Sequence, residues 1–423
     1  MFRGVGLRKT VEQPILNLNF AAAGALDSRF TFSRGTSGSF VGSNGLIQSA
    51  SSDVARFDHN PATNTAKGLM LEEARTNLVE HSEEFNDSFF TSTRVSVSAN
   101  ATTAPDGTTT ADTLIEDSSN NTHLVHFDAS VSNNTFYSVS VFAKQASGDR
   151  RLKIVFDDEN SGFAISEAIF RLDNGTVTNT SCTSATIEDF GNDWFRCIAT
   201  EKATATTSSA RIILNLNDSS GSSYAGDGSS GLHLWGMQLE AGKFASSYIK
   251  TTGSTLTRNA DAATMGPTSS LPFVEFNTSE GTLMMEGSVS FTPSASDFHN
   301  LVRLEGSNSA TDRIDLRINS TPVASTIVKT GGGNKMTSGL GAIVANQTFR
   351  LAVAYKLNNF VSASSQQLAV STDTSGTIPT IQKLTLLPLA SGYPDAVHIK
   401  RILHFARCFS SSHMQSLVGP HNV

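Results

Sequence analysis

Between residues 80 and 250 this 423-residue chain repeats one pattern: apolar side chains at every second position, in runs of five to nine residues, broken by Asp, Asn, Gly and Ser. Tyr137, Val139, Val141 and Ala143 share one face of such a run; Leu152, Ile154 and Phe156 share another, and Ile212, Leu214 and Leu216 a third. A strand with one apolar face must bury it against a second sheet, so many short alternating runs predict antiparallel β-sandwich or jelly-roll packing. Helix signals are scarce. The chain is too long for one ordinary core and predicts two or three domains. The expected class is all-β, with antiparallel sandwich or jelly-roll domains in tandem and little helix.

The expected divisions are an N-terminal arm with a short β region over 1–75, a jelly roll over 76–262, and a second sandwich over 263–423. Residues 43–48, SNGLIQ, place an Asn-Gly turn before a strand, a hairpin signal. Residues 232–261 open as a strand, with His233, Trp235, Met237 and Leu239 on one face and Leu232 and Leu234 on the other. The strand then breaks at Gly242 into a Ser/Thr-rich exit, and residues 251–257 read as a link to the next domain, whose first strand is expected near Phe273. There Ile314, Leu316 and Ile318 alternate with charges, and Phe349, Leu351, Val353, Tyr355 and Leu357 form a strong strand. Near the C-terminus, Ser412 to Gln415 has the form of a capping box before Met414, Leu417 and Val418, so a one- or two-turn helix closes the chain.

Charge narrows the function classes. Only 16% of residues are charged, the net charge is -7, and Lys and Arg form no cluster, so the footprint of phosphate neutralisation is missing and nucleic acid is not an expected partner. No apolar run approaches the roughly 20 residues of a membrane span, and MFRGVGLRKT lacks the apolar core of a signal peptide, which predicts folding in a cytosol without membrane insertion. Cys182, Cys197 and Cys408 lack metal-ligand spacing and are expected to be reduced, mostly buried thiols.

No catalytic constellation is expected. The Gly/Ser loops at 35–38 and 221–223 lack the Lys and the strand-helix context of a phosphate loop, and no G-x-S-x-G occurs. His123 and His126, or His398 and His404, lack a helix that would bring them to one metal. Asp157, Asp158 and Glu159 end a strand as a solvated turn, or as half of a glycoside-cleaving carboxylate pair. Asp58, Asn60 and Asn64 carry oxygens suited to calcium, and an Asx turn set by Pro61 accounts for them as well. Sugar binding asks for an aromatic face and a few polar partners. Trp194, Trp235 and Tyr224 are the candidates: both Trp lie within strands where core packing also explains them, and Tyr224, in a Gly-rich loop, is expected to be the more exposed.

Several lines, in order, resemble structural proteins of tailed bacteriophages: GLMLEEARTNL at 68–78, HSEEFNDSFF at 81–90, APDGTTTAD at 104–112, DWFRC at 193–197, and WGMQLEAGKFASSYIKTTGSTLTRNAD at 235–261. That resemblance implies a carbohydrate-binding-module-like jelly roll. The ending HIKRILHFAR at 398–407, with its Ser-capped helix, resembles a concanavalin A-like (laminin-G-like) sandwich. Together they imply a virion fibre, spike or decoration protein on head or tail, assembled in the host cytoplasm as a homo-oligomer, a trimer by first expectation. Its partners would be other capsid or tail proteins and host-surface polysaccharide. A glycan-degrading tail enzyme and a capsid cement protein without host binding are the alternatives.

Overall fold

The computed structural model describes residues 12–159, 162–266, 279–290, 298–387 and 396–419. Residues 1–11 of the expected arm, and the strand expected at Phe273, lie outside them. Almost all regular structure is antiparallel strand, with one helix, Ser411–Val418, among the described residues. That helix is neither long nor apolar enough to cross a membrane.

The chain divides into two compact units, residues 32–261 and residues 1–31 with 262–423. The division differs from the expected arm and two domains. Residues 32–75 belong to the first unit because Arg56 and Glu72 there meet Asp261 and Arg258 at its far end. Residues 12–31 belong to the second unit because Leu16–Asn19 pairs with Ala396–Phe405. The supposed link at 251–257 is also integral: Thr251 donates to the Val79 carbonyl, and Leu256–Arg258 pairs with Arg75–Asn77.

The first unit is a sandwich. One sheet runs Ser184–Asp189, Phe195–Lys202, Phe136–Ser147, Gly231–Ala241, Ala111–Glu116, Val95–Thr102 in spatial order. The other runs Thr176–Thr180, Ser166–Arg171, Arg151–Phe156, Thr207–Asn217, Asn120–Val131, Ser223–Ala225. The faces read from the alternation are the buried ones: Tyr137, Val139, Val141 and Ala143 pack with Leu152, Ile154, Phe156, Ile212, Leu214 and Leu216 in one core. The hairpin read from residues 43–48 forms between Gly38–Val41 and Ile47–Ala50, with Gly45 at φ +78° in the turn.

One strand breaks its own alternation. Opposite Gly231–Ala241 the register slips between Ser140 and Phe142, and Gly236 takes φ +64°, a β-bulge at a residue without a Cβ. Beyond the bulge Met237 and Leu239 face the same core as Leu232 and Leu234, whereas Trp235 faces the opposite side with Phe142 and Tyr248. The expected grouping of Trp235 with Met237 and Leu239 is therefore corrected.

In the second unit one sheet includes Gln367–Asp373, Asn359–Ser364, Phe349–Lys356, Glu280–Val289 and Ala396–Phe405 in that order. The other includes Ala262–Met265, Lys383–Leu386, His299–Glu305, Arg313–Ile318, Ala324–Thr330 and Gly333–Thr337. The sheets meet where Thr326 and Met336 touch Ser362. The closing helix seats Met414 and Val418 on Met284, Ala352 and Leu403. Its cap is Ser410, accepting from His413 N, two residues before the expected Ser412. Leu357 lies past the end of its strand and is 58% exposed, so it does not continue the buried row.

Candidate functional site

The first unit contains a cavity of about 600 Å³. Trp235 and Tyr248 give it an aromatic floor, with ring centroids 4.6 Å apart and planes at 49°. Trp235 is turned this way by the bulge at Gly236, and its Nε1–H donates to Thr110 Oγ1 at 3.0 Å. Tyr248 donates to Glu83 Oε1 at 2.8 Å, and Lys250 Nζ reaches Glu83 Oε2 at 2.7 Å. Burial, with Glu83 beside it, pushes the Tyr248 phenol well above its ordinary range, so it remains a neutral donor.

Two segments far apart in sequence form the walls. Ser37, Ser39, Gln48 and Ser49 come from the Gly/Ser loop and hairpin; Thr252, Leu256, Thr257 and Arg258 come from the Ser/Thr-rich exit. They are laced together: Ser39 Oγ donates to the Tyr248 carbonyl at 2.5 Å, and Asn259 N donates to Thr36 Oγ1 at 2.9 Å. Gly35 permits this approach, since a Cβ there would sit 2.9 Å from Asn259 Nδ2.

Behind the wall lies a buried ionic group. Asp261 accepts from Arg34 Nη1 at 3.0 Å and Arg56 Nη2 at 2.5 Å, and Glu72 Oε2 accepts from Arg56 Nη1 at 2.7 Å. Ser247 donates to both Glu72 oxygens, through N at 2.8 Å and Oγ at 2.7 Å. Burial alone would raise the Glu72 pKa, but Arg258, Arg56 and Ser247 hold it well below the usual carboxylate range. The sequence reading missed this group and most of the cavity lining. The usable signal was Gly236, a glycine inside a strand pattern.

Of the three aromatic candidates only Trp235 lines the cavity, and it is itself 1% exposed. Trp194 packs in the same aromatic cluster as Trp235, with Nε1–H on the Thr103 carbonyl at 3.1 Å, and is 3% exposed. Tyr224 is 5% exposed, which corrects the expectation of an open loop. Ser223–Ala225 adds a short strand beside Asn120–Val131, and the phenol donates to Glu116 Oε2 at 2.6 Å under the Arg150 guanidinium.

Of the calcium candidates, Asp58 lies in a strand and Asn60 and Asn64 in the turn that follows it. Asp58 accepts from Val41 N at 2.7 Å, Asn60 caps the turn through Ala62 N and Thr63 N, and Asn64 sits at φ +57° with its Oδ1 against Gly45. Among the described residues no group of three or more His, Cys, Asp and Glu is placed to hold a metal. Asp157 caps its own turn through Asp158 N, and Glu159 pairs with Arg211. His123 is buried against Tyr224, and His404 bonds the Tyr355 hydroxyl at 2.9 Å.

No family model matches this chain, and no curated protein does. Solved structures similar to it include the Ruminococcus gnavus IT-sialidase CBM40, at 13% identity over 34% of this chain and 84% of that one, with a TM-score of 0.28. They also include the botulinum neurotoxin serotype G binding domain, at 9% identity over 37% and 39%, with a TM-score of 0.30. Trypanosoma rangeli sialidase matches at 10% identity over 73% of this chain and 60% of that one, with a TM-score of 0.30. The sandwich class rests on the strand order above, and likenesses of this size add no functional argument.

Proposed function

We propose that this chain is a structural component of a tailed-phage virion, a fibre, spike or decoration protein, which binds host-surface glycan without cleaving it. The observation that carries the glycan reading is the cavity: an aromatic floor from Trp235 and Tyr248 beneath walls of hydroxyl and amide side chains. Such a lining suits the apolar face and hydroxyl rim of a sugar ring. Both carboxylates on it are already engaged, Glu83 by Tyr248 and Lys250, and Asp106 by Thr108. The virion reading is supported by the ordered phage-like segments between residues 68 and 261. A trimer on a particle would raise avidity without new contacts.

The test pairs binding with location. Purified chain should retain fragments of bacterial surface polysaccharide without shortening them, and Ser49→Trp, placed on an exposed lining position, should abolish retention. Antibody-gold labelling of intact particles should decorate projections. Shortened polymer would replace the binder with a depolymerase, and labelled projections without glycan retention would leave a cement or scaffold role.

A further inference from the structure

The chain has two Asn-Gly steps, Asn44-Gly45 and Asn174-Gly175, and both asparagines are exposed. Solvent access does not distinguish them; the backbone does. At the first, Gly45 N donates to the Gly42 carbonyl at 3.0 Å, and Asn44 Oδ1 accepts from Leu46 N and Gln48 Nε2, each at 3.2 Å. Main chain also boxes Gly45 in, since a Cβ there would stand 2.8 Å from the Pro61 carbonyl oxygen. The second step lies in the turn at residues 172–175, which joins Ser166–Arg171 to Thr176–Thr180. Gly175 takes φ +65°, and its N–H donates to nothing among the described residues. Its close neighbour is a side chain: a Cβ there would meet Phe195 Cε1 at 2.7 Å. Asn174 Oδ1 accepts from Thr176 Oγ1 at 2.6 Å, a bond that turns the side-chain amide toward the residues that follow it.

A backbone nitrogen that follows asparagine becomes a nucleophile when it loses its proton, and glycine leaves that nitrogen unshielded. We infer that Asn174-Gly175 is a site of spontaneous deamidation in the folded chain, whereas Asn44-Gly45 is protected by its fold. Gly175 N gives its proton to solvent and attacks Asn174 Cγ. A bond forms between N and Cγ, the Cγ–Nδ2 bond breaks, and Nδ2 leaves as ammonia, taking a proton from solvent. Water then opens the resulting succinimide at either carbonyl, giving aspartate or isoaspartate with no change in oxidation state. The Thr176 hydroxyl, already on Oδ1, stabilises the negative charge that this oxygen gathers as the ring closes. Isoaspartate puts one extra methylene into the main chain of a turn whose flanking residues, Arg171 and Thr176, are paired. The strand it would loosen, Thr176–Thr180, is the edge of its sheet, so fraying there leaves the inner strands paired.

The experiment incubates the full chain at mildly alkaline pH in water enriched in heavy oxygen. Two tryptic peptides, residues 35–56 and 172–196, are followed by mass spectrometry with fragment ions that locate the label. Asn174 should be converted about tenfold faster than Asn44, the scale of the hydrogen bonds that Gly45 N and Asn44 would have to break. The product should contain both isoaspartate and aspartate. In urea the two sites should react alike, because unfolding removes the protection. Equal rates in the native chain, or an Asn174 that stays unlabelled while the unfolded chain reacts, would overturn the assignment. Aspartate without isoaspartate would overturn the ring step. Thr176→Val should slow conversion of Asn174 about fivefold, the scale of one hydrogen bond, and an unchanged rate would remove Thr176 from the reaction. The comparison of Asn174 with Asn44 needs no variant, so it decides the question even if that substitution disturbs the turn.

Discussion

Arg34 and Asp261 are 227 residues apart in the chain and meet at 3.0 Å, with both side chains fully buried. The pair closes the first unit at its two ends, and Arg56 shares the same carboxylate. Taking charges out of water is costly, and removing one partner of such a group strands the others. Asp261→Asn is therefore expected to cost about 3–5 kcal/mol, read as a lowered urea midpoint for the unit spanning 32–261. A loss below 1 kcal/mol would mean that the two guanidiniums find other acceptors.

Glu72 sets an acid limit. Its folded pKa is held below its ordinary value of 4.5, chiefly against burial by Arg258 and Arg56. A carboxylate depressed in the folded state contributes stability above its unfolded pKa and loses it as pH falls toward the folded value. The urea midpoint should therefore drop as pH is lowered below about 4.5. Glu72→Gln, less stable at neutral pH, should show a shallower drop over the same range.

Tyr224 is predicted to act in folding alone. Its phenol donates to a Glu116 carboxylate whose side chain is fully buried and which Arg150 also grips at 2.6 Å. Tyr224→Phe should cost about 1.5–3 kcal/mol in chemical denaturation, the range for a bond to a charged group, and leave glycan binding unchanged. Lost binding at unchanged stability would restore Tyr224 as a ligand contact.

Leu16, 1% exposed and paired with His404, tests the placement of the N-terminal strand. Leu16→Ala should destabilise by about 2–5 kcal/mol, and amide exchange should accelerate in Ala396–Phe405. Unchanged exchange there would mean that the strand is not docked as described.

Cys408 should be slow to alkylate at neutral pH. Burial and the nearby Glu280 push its thiol up to about 11, leaving little thiolate. Rapid labelling by iodoacetamide in the native state would contradict this environment.

The alternating runs around Tyr137, Leu152 and Ile212 were legible because period-two burial is local: each residue's face follows from its neighbour's. Trp235 was misplaced because one extra residue at a bulge reverses that parity, and only pairing with Phe142 shows where the reversal falls. Tyr224 was misread because a three-residue edge strand carries too little pattern to stand out among Gly and Ser.

The residues by themselves determined the all-β class, the hairpin at 43–48 and the terminal helix, since each depends on local spacing or on composition. Tertiary structure alone decided that residues 32–75 join the first sandwich, that the Gly/Ser loop and the Ser/Thr exit become opposite walls of one cavity, and that Arg258 lies between that cavity and the buried Glu72. Those outcomes depend on contacts between residues some 200 positions apart, such as Arg34 with Asp261. In sequence such partners are separate polar letters; they become a site only when folding removes water from between them.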